Sequence, residues 1–140
     1  TKAALAAVDA VEVELDGGTG FVLPDDVDPV ASPKPWAALL PGLDPTPMGW
    51  KERVWYLGPH EKLLYDTNGN IGPTVWLNGR IVGAWGQVDG GTVVYRLLED
   101  VTKSEQALID AEQARLEVWL DGTIVMPRFP APLQKELAGR

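Results

Sequence analysis

The stretch PTVWLNGRIVGAWGQ, residues 73 to 87, constrains this chain more than any other. Two apolar runs flank Asn78-Gly79, and a two-residue hairpin turn of type I′ demands positive φ at both central positions, which asparagine and glycine tolerate best. A second turn, DGG at 89 to 91, leads into TVVYRLL at 92 to 98, so three successive strands make an antiparallel meander. With a buried strand in WAALLPGL at 36 to 43 and a final one in TIVMPRF at 123 to 129, the meander is expected to curl into a small barrel.

The segment TKSEQALIDAEQARLEVWL, 102 to 120, is the best helix. Thr102 and Glu105 have the spacing of a capping box, and Leu108, Ala111, Arg115 and Val118 or Trp119 keep a three-and-four spacing that marks the expected inward face. Asp121-Gly122 ends it, and PLQKEL at 132 to 137 reads as a short amphipathic tail. Upstream, Asp44-Pro45 has the order of an N-cap and first helical residue, opening a short helix expected to run through Trp50 to Leu57 and stop at Gly58-Pro59. HEKLLYD at 60 to 66 adds a helical turn before the loop TNGNIG.

The N-terminal section is patterned differently. After an alanine-rich helical turn or two, Val11, Val13 and Leu15 alternate with Glu12 and Glu14, the period of a half-buried strand. DGGTG at 16 to 20 supplies a turn, and FVLP at 21 to 24 returns as a strand that Pro24 stops. Helix, strand, turn, strand is the tail of a winged helix, and equally of any small α+β hairpin. DDVDPVASPKP at 25 to 35, with three prolines, reads as a linker.

Composition narrows the function classes. With 140 residues the chain holds one domain, or one plus the remnant of another. Zero cysteines exclude a disulfide framework and thiolate chemistry, and one histidine argues against a histidine metal site or a Ser-His-Asp constellation. We expect no cofactor and no metal. Every hydrophobic run is too short to cross a bilayer, so no membrane partner is expected. The chain starts at Thr1 without an initiator methionine or signal peptide, so a piece of a longer, cytoplasmic protein is expected. A net charge of −8 argues against a free-standing nucleic-acid binder, although residues 51 to 96 hold five cations against four acids.

Within that middle region five residues are candidate DNA contacts: Lys51, Arg53, His60, Asn70 and Arg80. Lys51 and Arg53 either touch phosphates or solvate a helix whose other side carries Trp50, Val54 and Leu57. His60 follows Gly58-Pro59 and either meets DNA or serves as a structural hydrogen-bond partner. Asn68 and Asn70 flank Gly69, where turn geometry is the alternative role. Arg80 follows the hairpin turn and would project toward a groove or backbone. The tryptophans could stack on bases, but Trp36, Trp50, Trp55 and Trp119 sit beside apolar neighbours and are expected in the core. Gln87-Val88-Asp89 spells Gln-x-Asp, a pair that can serve catalysis, but it sits where the meander enters the DGG turn and is read as a strand end and the start of a turn.

Taken in order, LLPGLDPTPMGWKER, WYLGPH, GNIGPTVW, NGRIVGAW, RLLEDV and PRF resemble the C-terminal part of the actinobacterial winged helix DNA-binding domain-containing proteins, a family that includes the AlkZ-type DNA glycosylases. The resemblance spans about residues 3 to 137. It implies an α+β fold: the end of a winged helix at 1 to 29, then a small antiparallel β-barrel or meander with one long covering helix at 30 to 140. It further implies a parent that binds double-stranded DNA and excises alkylated or cross-linked purines. The catalytic Gln-x-Asp or Gln-x-Gln motif would lie in the parent's N-terminal part, outside this chain. The fragment alone is therefore expected to be inactive. The alternative from another class is a non-catalytic structural or protein-interaction module, and a small-molecule pocket has only the tryptophan content behind it.

Overall fold

A computed structural model describes residues 2–15, 17–49, 51–125 and 127–139. The chain divides into two compact units, Thr1–Pro33 and Lys34–Arg140. It is a mixed α+β protein with two separate antiparallel sheets.

In the first unit α1 (Lys2–Ala7) leads through Asp9, at φ 50°, into β1 (Val11–Leu15), which pairs with β2 (Gly18–Val22). Val11 opposes Val22 and Val13 opposes Gly20, while Glu12 opposes Phe21 and Glu14 opposes Thr19. The alternation thus separates an apolar from a mostly polar face. The returning strand starts earlier than Phe21, with Gly18 and Thr19 already in the ladder; Asp16 lies outside the described residues. No described residue of this unit is buried.

The second unit is built on one four-stranded antiparallel sheet in the order β3 (Ala37–Leu40), β4 (Thr74–Leu77), β5 (Arg80–Gln87), β6 (Val93–Leu97). Asn78 and Gly79 take φ of 50° and 86°, the positive values that the turn requires. The sheet is open, with β3 and β6 at its edges, and the expected barrel is not formed. The residues assigned to a closing strand have other ties. The buried Gln87 amide donates to Thr123 O at 2.9 Å and accepts from Val125 N at 2.8 Å, so the segment after Gly122 is held by a side chain, not by a strand ladder. Met126 lies outside the described residues, and Pro127 has no N–H for a ladder. The same Gln87 amide reaches Gly91 O in the turn at Asp89–Gly91, so its hydrogen-bonding capacity is spent on structure.

Both faces of the sheet are covered. On one, Leu39, Val75, Val82, Trp85 and Val93 pack with Ile109, Leu116 and Leu120 of α5 (Lys103–Leu120). On the other, Trp76, Ile81 and Ala84 meet Tyr56 and Leu57 of α3 (Val54–Leu57), Leu64 of α4 (Glu61–Leu64) and Leu133 of α6 (Pro132–Leu137). Fully burying one such aliphatic side chain stabilises by roughly 1.5–3 kcal/mol.

A β-bulge decides which residues go to which side. Val75 pairs with Gly83 but Trp76 pairs with Ile81, leaving Val82 as the extra residue. An unbroken ladder would place Trp76 and Trp85 on the same face; the extra residue sends them to opposite faces, one to each core. Gly83 is required there, since a Cβ would lie 2.3 Å from Arg96 O on β6.

Two helix expectations are corrected. The helix expected through Trp50 to Leu57 is two pieces, α2 (Pro45–Gly49) and α3, with Trp50 itself outside the described residues. A continuous helix would give the Pro47 carbonyl to the amide of residue 51. That carbonyl instead accepts from Arg53 Nη1 at 3.1 Å and from Tyr65 Oη at 2.8 Å. In α5 the capping box of Thr102 and Glu105 is present, but the inward face carries Ile109, Gln113, Leu116 and Leu120, leaving Ala111, Arg115, Val118 and Trp119 exposed. Gln113 Nε2 donates to Val93 O and Glu117 accepts from Val93 N at 2.7 Å, so the polar positions of that helix serve the edge of β6.

The tryptophans divide likewise. Trp76 and Trp85 are buried, with indole N–H groups on Thr74 Oγ1 and Leu40 O. Trp36, Trp55 and Trp119 are exposed, the last two at 73% and 74%, against the expectation that they enter the core.

Candidate nucleic-acid contacts

The five candidate residues fall in three settings on the second unit. Lys51 occupies the bend between α2 and α3 and is exposed, with no ion-pair or hydrogen-bond partner among the described residues. It is the candidate most available to an external anion.

Arg53, in contrast, is tied on every side. Nη2 donates to Glu61 Oε1 at 2.8 Å, Nη1 to Pro47 O, and the guanidinium lies 4.4 Å from the centre of the Tyr65 ring. The Glu61 hydrogen bond raises the Arg53 pKa. Burial pushes the Tyr65 phenol up to about 12, with the nearby guanidinium opposing. Arg53 thereby joins α2, α3 and α4.

Asn70 belongs to a closed loop. Its backbone N–H donates to Asp66 Oδ1 at 2.9 Å and its side-chain amide to Asp66 Oδ2 at 3.0 Å, while Asn68 N also reaches Oδ1 at 2.8 Å. Those donors, the Asn70 backbone first, hold the Asp66 pKa below its ordinary value. Asp66 is an acceptor hub that shapes the turn at Gly69, whose φ is 80°.

His60 and Arg80, 20 positions apart in sequence, meet at one carboxylate. Arg80 Nη2 donates to both oxygens of Glu99, at 2.8 and 3.0 Å, and His60 Nε2 lies 3.2 Å from Oε1. Arg80 is half exposed while the His60 side chain is 13% exposed. Sequence reasoning passed over Glu99, which lies in RLLEDV beyond β6. Its only local signal is that it precedes Asp100 at the exit of a strand, a common place for a solvated acid.

The same economy runs through the unit. Arg96 pairs with Glu136 at 2.6 Å and Arg115 with Glu112 at 2.7 Å. With Arg53 and Arg80, four arginines are each matched to a carboxylate, which cancels the charge of those four guanidinium groups locally.

No helix of the described residues is long and apolar enough to cross a membrane. Among the described residues no cluster of three metal-ligating side chains occurs.

Comparison with solved structures finds the DNA glycosylase AlkZ of Streptomyces sahachiroi, which is 25% identical and superposes with a TM-score of 0.67 over 84% of this chain. The match covers 33% of that glycosylase, so the chain spans about a third of its length. Among curated proteins none matches. The family model described as DNA glycosylase AlkZ-like matches residues 1–119, most of the sequence, and the chain therefore belongs to the AlkZ-like DNA glycosylase family.

Proposed function

We propose that the chain is the C-terminal section of a cytoplasmic, winged-helix DNA-binding protein of the AlkZ type, with residues 1 to 29 the end of a winged helix and 30 to 140 an accessory domain. The observation that carries this reading is the match to AlkZ over most of this chain and only a third of that one. The α1–β1–β2 order agrees with a wing and the helix before it. Excision of alkylated or cross-linked purines then belongs to the parent, whose catalytic Gln-x-Asp or Gln-x-Gln motif would act in the remaining part, where a carboxylate or amide orients water as the glycosidic bond breaks.

Within that parent the domain acts chiefly as a buttress. The four arginine-carboxylate pairs favour this, because a domain that gripped phosphates would leave those guanidinium groups open. Lys51 and Arg80 supply what direct backbone contact there is.

The test is fluorescence anisotropy of the chain with a labelled duplex at about 20 and 200 mM salt, beside a Lys51→Ala/Arg80→Ala double variant. Weak binding that falls with salt and with the double substitution supports a duplex contact. Tight binding insensitive to both would refute the buttress reading, and base excision by the isolated chain would overturn the assignment of chemistry to the rest of the parent.

A further inference from the structure

Among the ion pairs of the described residues, one carboxylate serves two basic side chains. Arg53–Glu61, Arg96–Glu136 and Arg115–Glu112 are one-to-one, whereas Glu99 takes both Arg80 and His60. The three residues come from separate elements: His60 at the start of α4, Arg80 at the first position of β5, and Glu99 in the turn between β6 and α5. Gly58 closes the back of the cluster, where a Cβ would sit 3.3 Å from Glu99 Oε1 and 3.4 Å from the His60 ring.

The Glu99 carboxylate presents one anionic oxygen to both Arg80 Nη2 and the His60 imidazole, and its second oxygen to the same Nη2. The two non-bridging oxygens of a phosphodiester present the same pattern. Only Nη2 of Arg80 is engaged by Glu99, and the side chain is 55% exposed, so its other donors face solvent. Glu99 and its neighbour Asp100 nevertheless outweigh the single guanidinium charge. An incoming phosphate is repelled as long as the carboxylate stays.

We propose that Arg80 and His60 form a phosphate-binding pair masked by Glu99, and that a phosphodiester of the DNA backbone takes the place of the Glu99 carboxylate when the parent closes on duplex. The proposal rests on the reading that the parent holds DNA near the β4–β5 turn. It accounts for a domain that carries two candidate phosphate contacts and yet presents them neutralised. Glu99 acts here as an internal competitor that sets how much duplex affinity the domain contributes.

The experiment compares the whole chain with Glu99→Gln, Glu99→Ala and Glu99→Gln/Arg80→Ala, using two probes: a labelled duplex followed by anisotropy, and inorganic tripolyphosphate followed through the arginine side-chain N–H signals. Thermal melting checks that each variant is folded, and the two removals of charge differ in whether they keep a hydrogen-bond acceptor. The expected result is a gain of about tenfold in affinity for both probes in the two single variants. The salt slope for duplex should steepen by about one, and the gain should be lost in the double variant. A gain for tripolyphosphate alone supports the mask and sinks the duplex reading on which its biological occupant rests. Folded single variants that gain for neither probe overturn the mask, and the duplex binding of the unaltered chain then judges the functional reading separately.

Discussion

The β1–β2 and β4–β5 hairpins share one kind of antiparallel pairing and differ in almost everything that makes a hairpin stable. In β1–β2 no residue is buried; in β4–β5 every residue but Arg80 is, apart from the two turn positions. Their sequences differ accordingly. VEVEL alternates, as suits a strand with one apolar face, whereas VWL and IVGAWG run without a polar residue, as suits strands covered on both sides. A two-stranded ribbon is at best marginal in water, and layers packed on its faces supply what the ladder does not.

All six tryptophans and all three tyrosines lie beyond residue 34, so their spectra report the second unit alone. The contrast between the hairpins can therefore be attacked from either side. Of the single substitutions Gly83→Val should have the largest effect, destabilising by about 3 kcal/mol or more in urea unfolding followed by tryptophan fluorescence, because its side chain meets the Arg96 carbonyl. A near-neutral result would mean that the bulge relaxes freely. Ile109→Ala and Leu133→Ala, one beneath each face, should each cost about 3 kcal/mol, and the double variant should lose about the sum. A marked departure from additivity would show that the two cores are coupled across the sheet.

The alkaline limb gives a third test. Burial raises the Tyr65 phenol to about 12, and burial followed by the Asp110 hydrogen bond raises Tyr95 to about 12, from an ordinary 10.0. The folded state holds these protons more tightly than the unfolded state. The resulting stabilisation is complete below pH 10 and is lost as pH climbs from about 10 toward about 12. Phenolate absorbance should lag behind that of free tyrosine, and a normal titration of all three residues would contradict the packing of Tyr65 and Tyr95. The smallest effect is expected from Val13→Ser in β1, within about 0.5 kcal/mol of no change by the same urea assay. A large loss there would show that the first hairpin shares in the stability of the second unit.

How much of this was legible depended on whether the signal was local. The Asn78-Gly79 turn, the Thr102–Glu105 cap and the Asp121-Gly122 stop are set by adjacent backbone, and they stand where the sequence puts them. The face of α5 is not readable locally, because Gln113 and the exposed Glu117 have the character of solvated residues yet bond Val93 at the edge of β6. Val54 and Val118 adjoin Trp55 and Trp119 and suggest a core position for them, yet neighbours in a helix point in different directions, and each valine is exposed as well. The barrel failed on the side-chain tether at Gln87. For the candidate contacts, residue type was readable and partnership was not: the binding of Arg53 by Glu61, and the meeting of His60 with Arg80 on Glu99, need the folded chain.

The extra residue at Val82 also bears on how the protein can change. Since it assigns one large indole to each side, sliding β4 by a single position would crowd both rings onto one side and leave an indole-sized void on the other. Misregistered pairing is thus penalised twice, by excess volume and by missing volume. In correct register the two sides share only backbone, so substitutions can accumulate on either one without matching changes on its counterpart. One layer can diverge to suit a new neighbour while the opposite layer keeps the fold.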